Sequence, residues 1–110
     1  MRYPVILIVP FLRVEAIAIF PFVFIKHKAL KNDAVLIRHE HIHLRQEVEL
    51  LIIPFYLLYL INYLVNLARF KNHYKAYRHI VFELEAYACE GDHLYLKQRQ
   101  VWAWLSFLHI

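Results

Sequence analysis

Leu50 to Ala68 reads LLIIPFYLLYLINYLVNLA, nineteen residues without a charge. At 1.5 Å per residue a helix of this length extends about 28 Å, close to the hydrocarbon thickness of a bilayer. Arg69 and Lys71 follow it, and its tyrosines suit a membrane interface. A helix packed inside a domain explains the same pattern, and Pro54, Asn62 and Asn66 lower its quality as a span. The two readings differ in what they do to the rest of the chain. A span puts a bilayer between the residues before and after it, whereas a packed helix lets them meet.

The chemistry before the stretch lies in His39-Glu40-His41-Ile42-His43, an H-E-x-x-H pattern. Residues four apart share a helix face, so His39 and His43 can offer two imidazoles to one metal ion. Glu40 stands about 100° round the helix, where a general base for a metal-activated water belongs. His41 points elsewhere. With eight histidines in the chain, the motif needs a helix, an apolar setting and a third ligand to support it. Asn32 or Asp33 is a suitable N-cap, and the spacing of Leu36, His39, His43, Gln46 and Leu50 predicts a helix over Ala34–Ile53, ended or kinked by Pro54. Glu47 is in line with both histidines but about 12 Å along the axis from His39, too far to share an ion on one straight helix. A later helix, expected over Asn72–Glu90 and stopped by Gly91, offers Glu83 and Glu85.

The pair of motifs resembles the gluzincin class of zinc metallopeptidases, in which an HExxH helix is completed by a Glu from a later helix. It is most similar to the often membrane-linked branch whose second motif reads E-x-x-A-D. Here Glu83-Leu84-Glu85-Ala86-Tyr87 stands in that place, with Tyr87 for the Asp. It also resembles small bacterial HExxH proteins of unassigned function with a Gln three residues on, here Gln46, and a later E-x-E-A-Y. The resemblance covers mainly residues 36–50 and 74–90. It implies zinc held by His39, His43 and Glu83, with Glu40 as catalytic base; on the residues alone Glu85 competes with Glu83 as third ligand. In that family the Asp can orient a ligand histidine, a task that Tyr87 leaves to Glu85 or Glu90. His79, four residues before Glu83, and the group Tyr77, Arg78 and Tyr87 are weighed as further donors, but a structural role is the simpler expectation for each.

A shared metal site and a single crossing exclude each other unless the motif helix is itself embedded, and the shared site is preferred. If Leu50–Ala68 crossed a bilayer once, His39 and His43 would lie on the opposite side from Glu83, and nineteen residues are too few to cross twice. The stretch is therefore expected to pack in the domain or lie along a membrane. The remaining sequence fits one domain of α+β class, mainly α, with short N-terminal strands followed by about four helices. The HExxH motif falls on the first helix and the Glu ligand on the third. Ile, Val and Phe in the apolar runs Tyr3 to Leu12 and Ala16 to Ile25 predict strands near Val5–Val9, Val14–Phe20 and Phe22–Lys26. One of these beside the metal helix could hold a peptide by edge pairing. A last helix is expected over His93–Ile110, with Trp102 and Trp104 either in the core or at a membrane interface.

Composition narrows the function classes. A single glycine, Gly91, excludes Gly-rich phosphate loops, and a single cysteine, Cys89, excludes an intrachain disulfide and a Cys-based zinc site. A net charge of +4 is mild, and no nucleic-acid-binding motif accompanies it. The basic loop at Lys26, Lys28 and Lys31 and the aromatic C-terminal region suit peripheral membrane attachment, so a cytoplasmic or peripheral membrane location is expected. The reading that follows is a zinc-dependent metallopeptidase acting on a peptide or protein segment. Its rival is a non-catalytic zinc-binding, membrane-associated or protein-interaction module.

Overall fold

Short alternating runs of Val, Ile, Phe and Ala make three strands, β1 (Val5–Ile8), β2 (Ala16–Ile19) and β3 (Phe22–Ile25). The computed structural model describes residues 4–108. Tyr3, which opens the first apolar run, and His109 and Ile110, at the end of the expected last helix, lie outside the described residues. The strand order is β1-β3-β2, with β3 parallel to β1 and antiparallel to β2, so β2 stands at an edge. Side chains alternate across the sheet. Ala18, Val23 and Ile25 point to one face and bury against Leu44, with Leu36 and Ile37 packed beside them.

Those three Leu and Ile residues belong to α1 (Ala34–Glu49), which carries the HExxH motif. Asp33 caps it, its carboxylate accepting from the Leu36 N–H at 3.1 Å. The helix ends four residues before the expected Ile53, because Leu51 and Ile52 turn the chain through the left-handed region (φ 62° and 67°). Pro54 therefore neither ends nor kinks α1. It lies in the first turn of α2 (Ile53–Phe70), where a missing N–H breaks no helical hydrogen bond.

The asparagines that interrupt the apolar stretch turn inward. The Asn62 side-chain oxygen accepts from the Val81 N–H at 2.8 Å, and the Asn66 amide donates to the Ala76 carbonyl at 3.1 Å. These bonds tie α2 to α3 (His73–Arg78) and α4 (Val81–Cys89). The single helix expected over Asn72–Glu90 is thus two helices, parted at Ile80, whose backbone is extended (φ −60°, ψ 131°). Asn72 caps α3 through the Lys75 N–H, and Asn62 serves the first residue of α4 from another helix. Glu83 consequently sits in the first turn of the fourth helix instead of on the third. Gly91 is not a left-handed stop: α4 ends at Cys89, no glycine has positive φ, and a Cβ at Gly91 would meet nothing within 4 Å.

The expected helix over His93–Ile110 is broken as well. It comprises α5 (Tyr95–Gln98) and a 3-10 helix at Ala103–Phe107, separated by an extended Arg99 and a left-handed Trp102. Arg99 leaves the helical path to place its guanidinium between Glu85 and Glu49, and the Trp102 N–H donates to Glu49 at 2.8 Å. Trp104 is no interface anchor. It is buried with Phe55, Ile80, Val81 and Phe82, its ring centroid 5.1 Å from that of Phe82. The chain is α+β and mainly helical, with five α-helices among the described residues.

Candidate metal centre

The helical spacing of His39 and His43 aims both rings at α4, and the early start of α4 aims Glu83 back at them. His39 Nε2 lies 3.0 Å from Glu83 Oε1 and 3.2 Å from His43 Nε2, and His43 Nε2 lies 3.2 Å from Glu83 Oε2. All three side chains are buried. These residues form a cluster that could hold a metal ion.

The outer nitrogens show how the rings are set. His39 Nδ1 is 2.7 Å from Glu90 Oε1, and His43 Nδ1 is 2.8 Å from Gln46 Oε1. The Gln46 amide nitrogen donates to the Phe82 carbonyl and to Glu85 Oε1, each at 3.0 Å, which fixes its oxygen toward His43. Both Nδ1 atoms thus face acceptors and carry the hydrogen of the neutral ring, leaving the Nε2 lone pairs directed at one another and at Glu83. Such a convergence of electron-rich atoms, away from water, is held together by a proton or by a cation.

Without a metal, the proton does this. Glu83 pushes His43 up to about 10, with help from Glu40 and Gln46, although burial works against the charged ring. Burial likewise opposes the charge of Glu83, but His43, His39 and the Tyr59 hydroxyl, which donates to Glu83 Oε2 at 2.6 Å, hold the carboxyl well below its ordinary range. The paired proton therefore stabilises the metal-free fold fully below about pH 6.5, the ordinary value for His, and this contribution is lost as the pH rises through about 10. A metal ion has to displace that proton. Its affinity is expected to rise about tenfold per pH unit between about pH 7 and 9, with about one proton released on binding. Calorimetric titration in two buffers of different ionisation enthalpy gives the proton count, and a count near zero at pH 8 would contradict this account.

Glu40 stands apart from the cluster. It is buried and has no hydrogen-bond partner among the described residues, and it faces an open cleft of about 360 Å³ shared with His39, Ala16, Tyr77, Tyr87 and Glu90. Burial pushes its carboxyl above the ordinary range, as do Glu83 and Glu90, against the opposing pull of His43 and His39. A carboxylate with a raised proton affinity at the mouth of a cleft is suited to take and return a proton.

The other sequence candidates separate cleanly. Glu85 is not at the cluster; it accepts from Gln46, Tyr95 and Arg99. Glu47 accepts from the Phe20 N–H at 2.8 Å and so holds the β2–β3 turn. His79 is exposed, bonded to the Lys75 carbonyl and packed on Phe70. Tyr87 packs its ring edge-on to His39, hydrogen-bonds Tyr77 and carries the Arg78 guanidinium on its face. Glu90, three residues after Tyr87, is the carboxylate that meets His39 Nδ1. Tyr59, Tyr95, Arg99 and Glu49 were not legible as parts of this centre. Lys97 and Arg99 both read as polar positions of the last helix, and nothing local tells which of the two turns inward. Comparison with family models, with curated proteins and with solved structures returns no match for this chain.

Proposed function

We propose that the chain is a zinc-dependent peptidase in which His39, His43 and Glu83 hold the metal and Glu40 is the catalytic base. The observation that carries this reading is the convergence of the two imidazoles on one carboxylate: His39 Nε2 and His43 Nε2 lie 3.2 Å apart, the first 3.0 Å from Glu83 Oε1 and the second 3.2 Å from Glu83 Oε2. Zinc bonds of about 2.0–2.1 Å at tetrahedral angles put ligand atoms about 3.3 Å apart, so the two imidazole nitrogens are already at a suitable spacing and the Glu83 carboxylate faces both. Two imidazoles and one carboxylate are also a donor set that zinc takes in catalytic sites. When bound, zinc supplies Lewis acidity that polarises a carbonyl and acidifies water.

The chain's own residues do the rest. Glu90 and Gln46 hold the two rings by Nδ1, and Tyr59 holds Glu83 by one oxygen. Glu40 takes the proton of the attacking water and returns it to the leaving amine nitrogen. An extended substrate has a place to lie. The Glu15 carbonyl accepts from the Lys26 N–H at 2.8 Å, so Glu15 faces β3, and by the alternation of an antiparallel ladder Ala16 and Ala18 direct their backbone groups away from it. The Ala18 carbonyl is taken by the Tyr56 hydroxyl at 2.7 Å. Ala16, which lines the cleft with His39 and Glu40, is the residue left to pair with a peptide backbone.

The first test is metal content. Protein purified without added metal, or loaded and then dialysed, is expected to carry about one zinc per chain by elemental analysis. His39→Ala with His43→Ala should carry none. Stoichiometric zinc in the double variant would remove the assignment.

A further inference from the structure

The helix that opened the question of a membrane leaves one face bare. Ile53, Leu57, Leu60, Ile61, Leu64 and Val65 fall at helical spacing along α2 and are between 48% and 77% exposed. The stripe runs most of the length of an 18-residue helix, about 27 Å at 1.5 Å per residue. We propose that this face seats in the surface of an anionic bilayer, with α2 lying in the membrane plane and the metal centre carried beside it.

Two observations choose lipid over protein. First, every polar side chain from Ile53 to Ala68 already has a hydrogen-bond partner in the domain, the Tyr63–His73 bond at an exposed position. The Tyr56 hydroxyl is on Ala18, Tyr59 on Glu83 and Tyr63 on His73, while the Asn62 and Asn66 amides reach α4 and α3. The bare stripe therefore offers aliphatic carbon, with no unbonded polar side chain of α2 beside it. A protein interface carries about one hydrogen bond per 100–200 Å²; hydrocarbon asks for none. Second, the stripe ends at two exposed cations, Arg69 and Lys71. Cations at the edge of an apolar face match the phosphates of anionic headgroups.

The same contacts exclude a crossing. α3 and the start of α4 are tied to the inner side of α2 by Tyr63, Asn66 and Asn62, and Glu83 beyond α2 meets His39 and His43 before it. With the residues before and after α2 brought together in one cluster, the helix is placed along the membrane surface and not across the bilayer.

Flotation of the full chain with vesicles tests this. Binding is expected to vesicles of equal parts phosphatidylcholine and phosphatidylglycerol, weaker to phosphatidylcholine alone, and weaker in high salt. Leu60→Glu with Leu64→Glu should lower the bound fraction about tenfold or more at unchanged melting temperature. Arg69→Gln with Lys71→Gln should remove the preference for the anionic vesicles. In a Cys89→Ser background, thiol probes at Lys31→Cys and Lys75→Cys should label from the same side. The proposal fails if the parent does not float, or if the Glu variants float like the parent. It also fails if those variants merely turn a lipid-free dimer into a monomer, which would make a second copy the occupant. Opposite labelling of the two probes would overturn it in favour of a span.

Discussion

Glu40→Gln is expected to lower peptide hydrolysis by about a hundredfold or more while leaving zinc content and melting temperature almost unchanged. The reasons are geometric. Glu40 sits next to His39 in sequence yet outside the ligand triangle, and its carboxylate opens on the cleft without a partner among the described residues. A buried carboxylate beside Glu83 and Glu90 gains nothing for the fold from its charge, and its raised proton affinity records that. The amide keeps the volume and polarity and removes only the ability to accept a proton. Glu83→Gln should behave differently, because it takes a charge from the ligand set and should weaken metal binding together with activity. A broad peptide library with a quenched-fluorescence readout, run beside elemental analysis, separates the two variants. Cleavage by Glu40→Gln at the parent rate would end the proposed mechanism. Failure of the parent to cleave any member, with no exchangeable water on the bound metal, would replace the peptidase with a non-catalytic zinc module.

The residues that helical spacing governs were the ones the sequence made plain. His39 and His43 had to share a face and Glu47 had to miss, because 3.6 residues per turn leaves no choice once the helix exists; the cap was narrowed only to Asn32 or Asp33, of which Asp33 serves. Strand positions followed from the Ile, Val and Phe of the two apolar runs, although each strand is shorter than its run. The choice between Glu83 and Glu85 was not legible. Two residues apart on a helix, they point to different sides, and which side faces α1 depends on where α4 begins. That start is set by Ile80 and by Asn62, nineteen residues earlier on α2. Periodicity sees the apolar pattern run through Ile80 unbroken and reports one helix. Glu90 was visible only as a substitute once Tyr87 was noticed in place of an acid. Asn62 and Asn66 counted against a span, but their part in tying α2 to α4 and α3 was not legible, since composition cannot tell an inward amide from an outward one.

Arg99→Met is expected to destabilise the protein by roughly 3–5 kcal/mol, seen as a fall in melting temperature of about 10 °C or more. Arg99 is buried against a fully buried Glu85 and a nearly buried Glu49, and its guanidinium serves both carboxylates, donating to Glu49 at 2.7 and 3.1 Å. Burial alone would push the Glu85 carboxyl up; Arg99, Gln46 and Tyr95 hold it down. Removing the cation leaves two carboxylates in low dielectric with no partner of opposite charge. Arg99→Lys should recover part of the loss, because an ammonium keeps the charge but cannot fork across both acids. Arg99→Met with Glu85→Gln should be more stable than Arg99→Met alone, since the innermost uncompensated charge is gone. The consequence reaches the metal. Glu85 is one of the two acceptors that orient the Gln46 amide, and Gln46 in turn holds His43 by Nδ1. Loosening Glu85 should therefore weaken zinc binding about tenfold or more, in the range known for residues that support ligand histidines. Thermal melts and competitive zinc titrations measure the two effects separately. A melting temperature of Arg99→Met within about 2 °C of the parent would show that the buried pair is not what fixes the C-terminal segment. Unchanged zinc affinity in a destabilised Arg99→Met would cut the proposed link from Arg99 through Glu85 and Gln46 to His43.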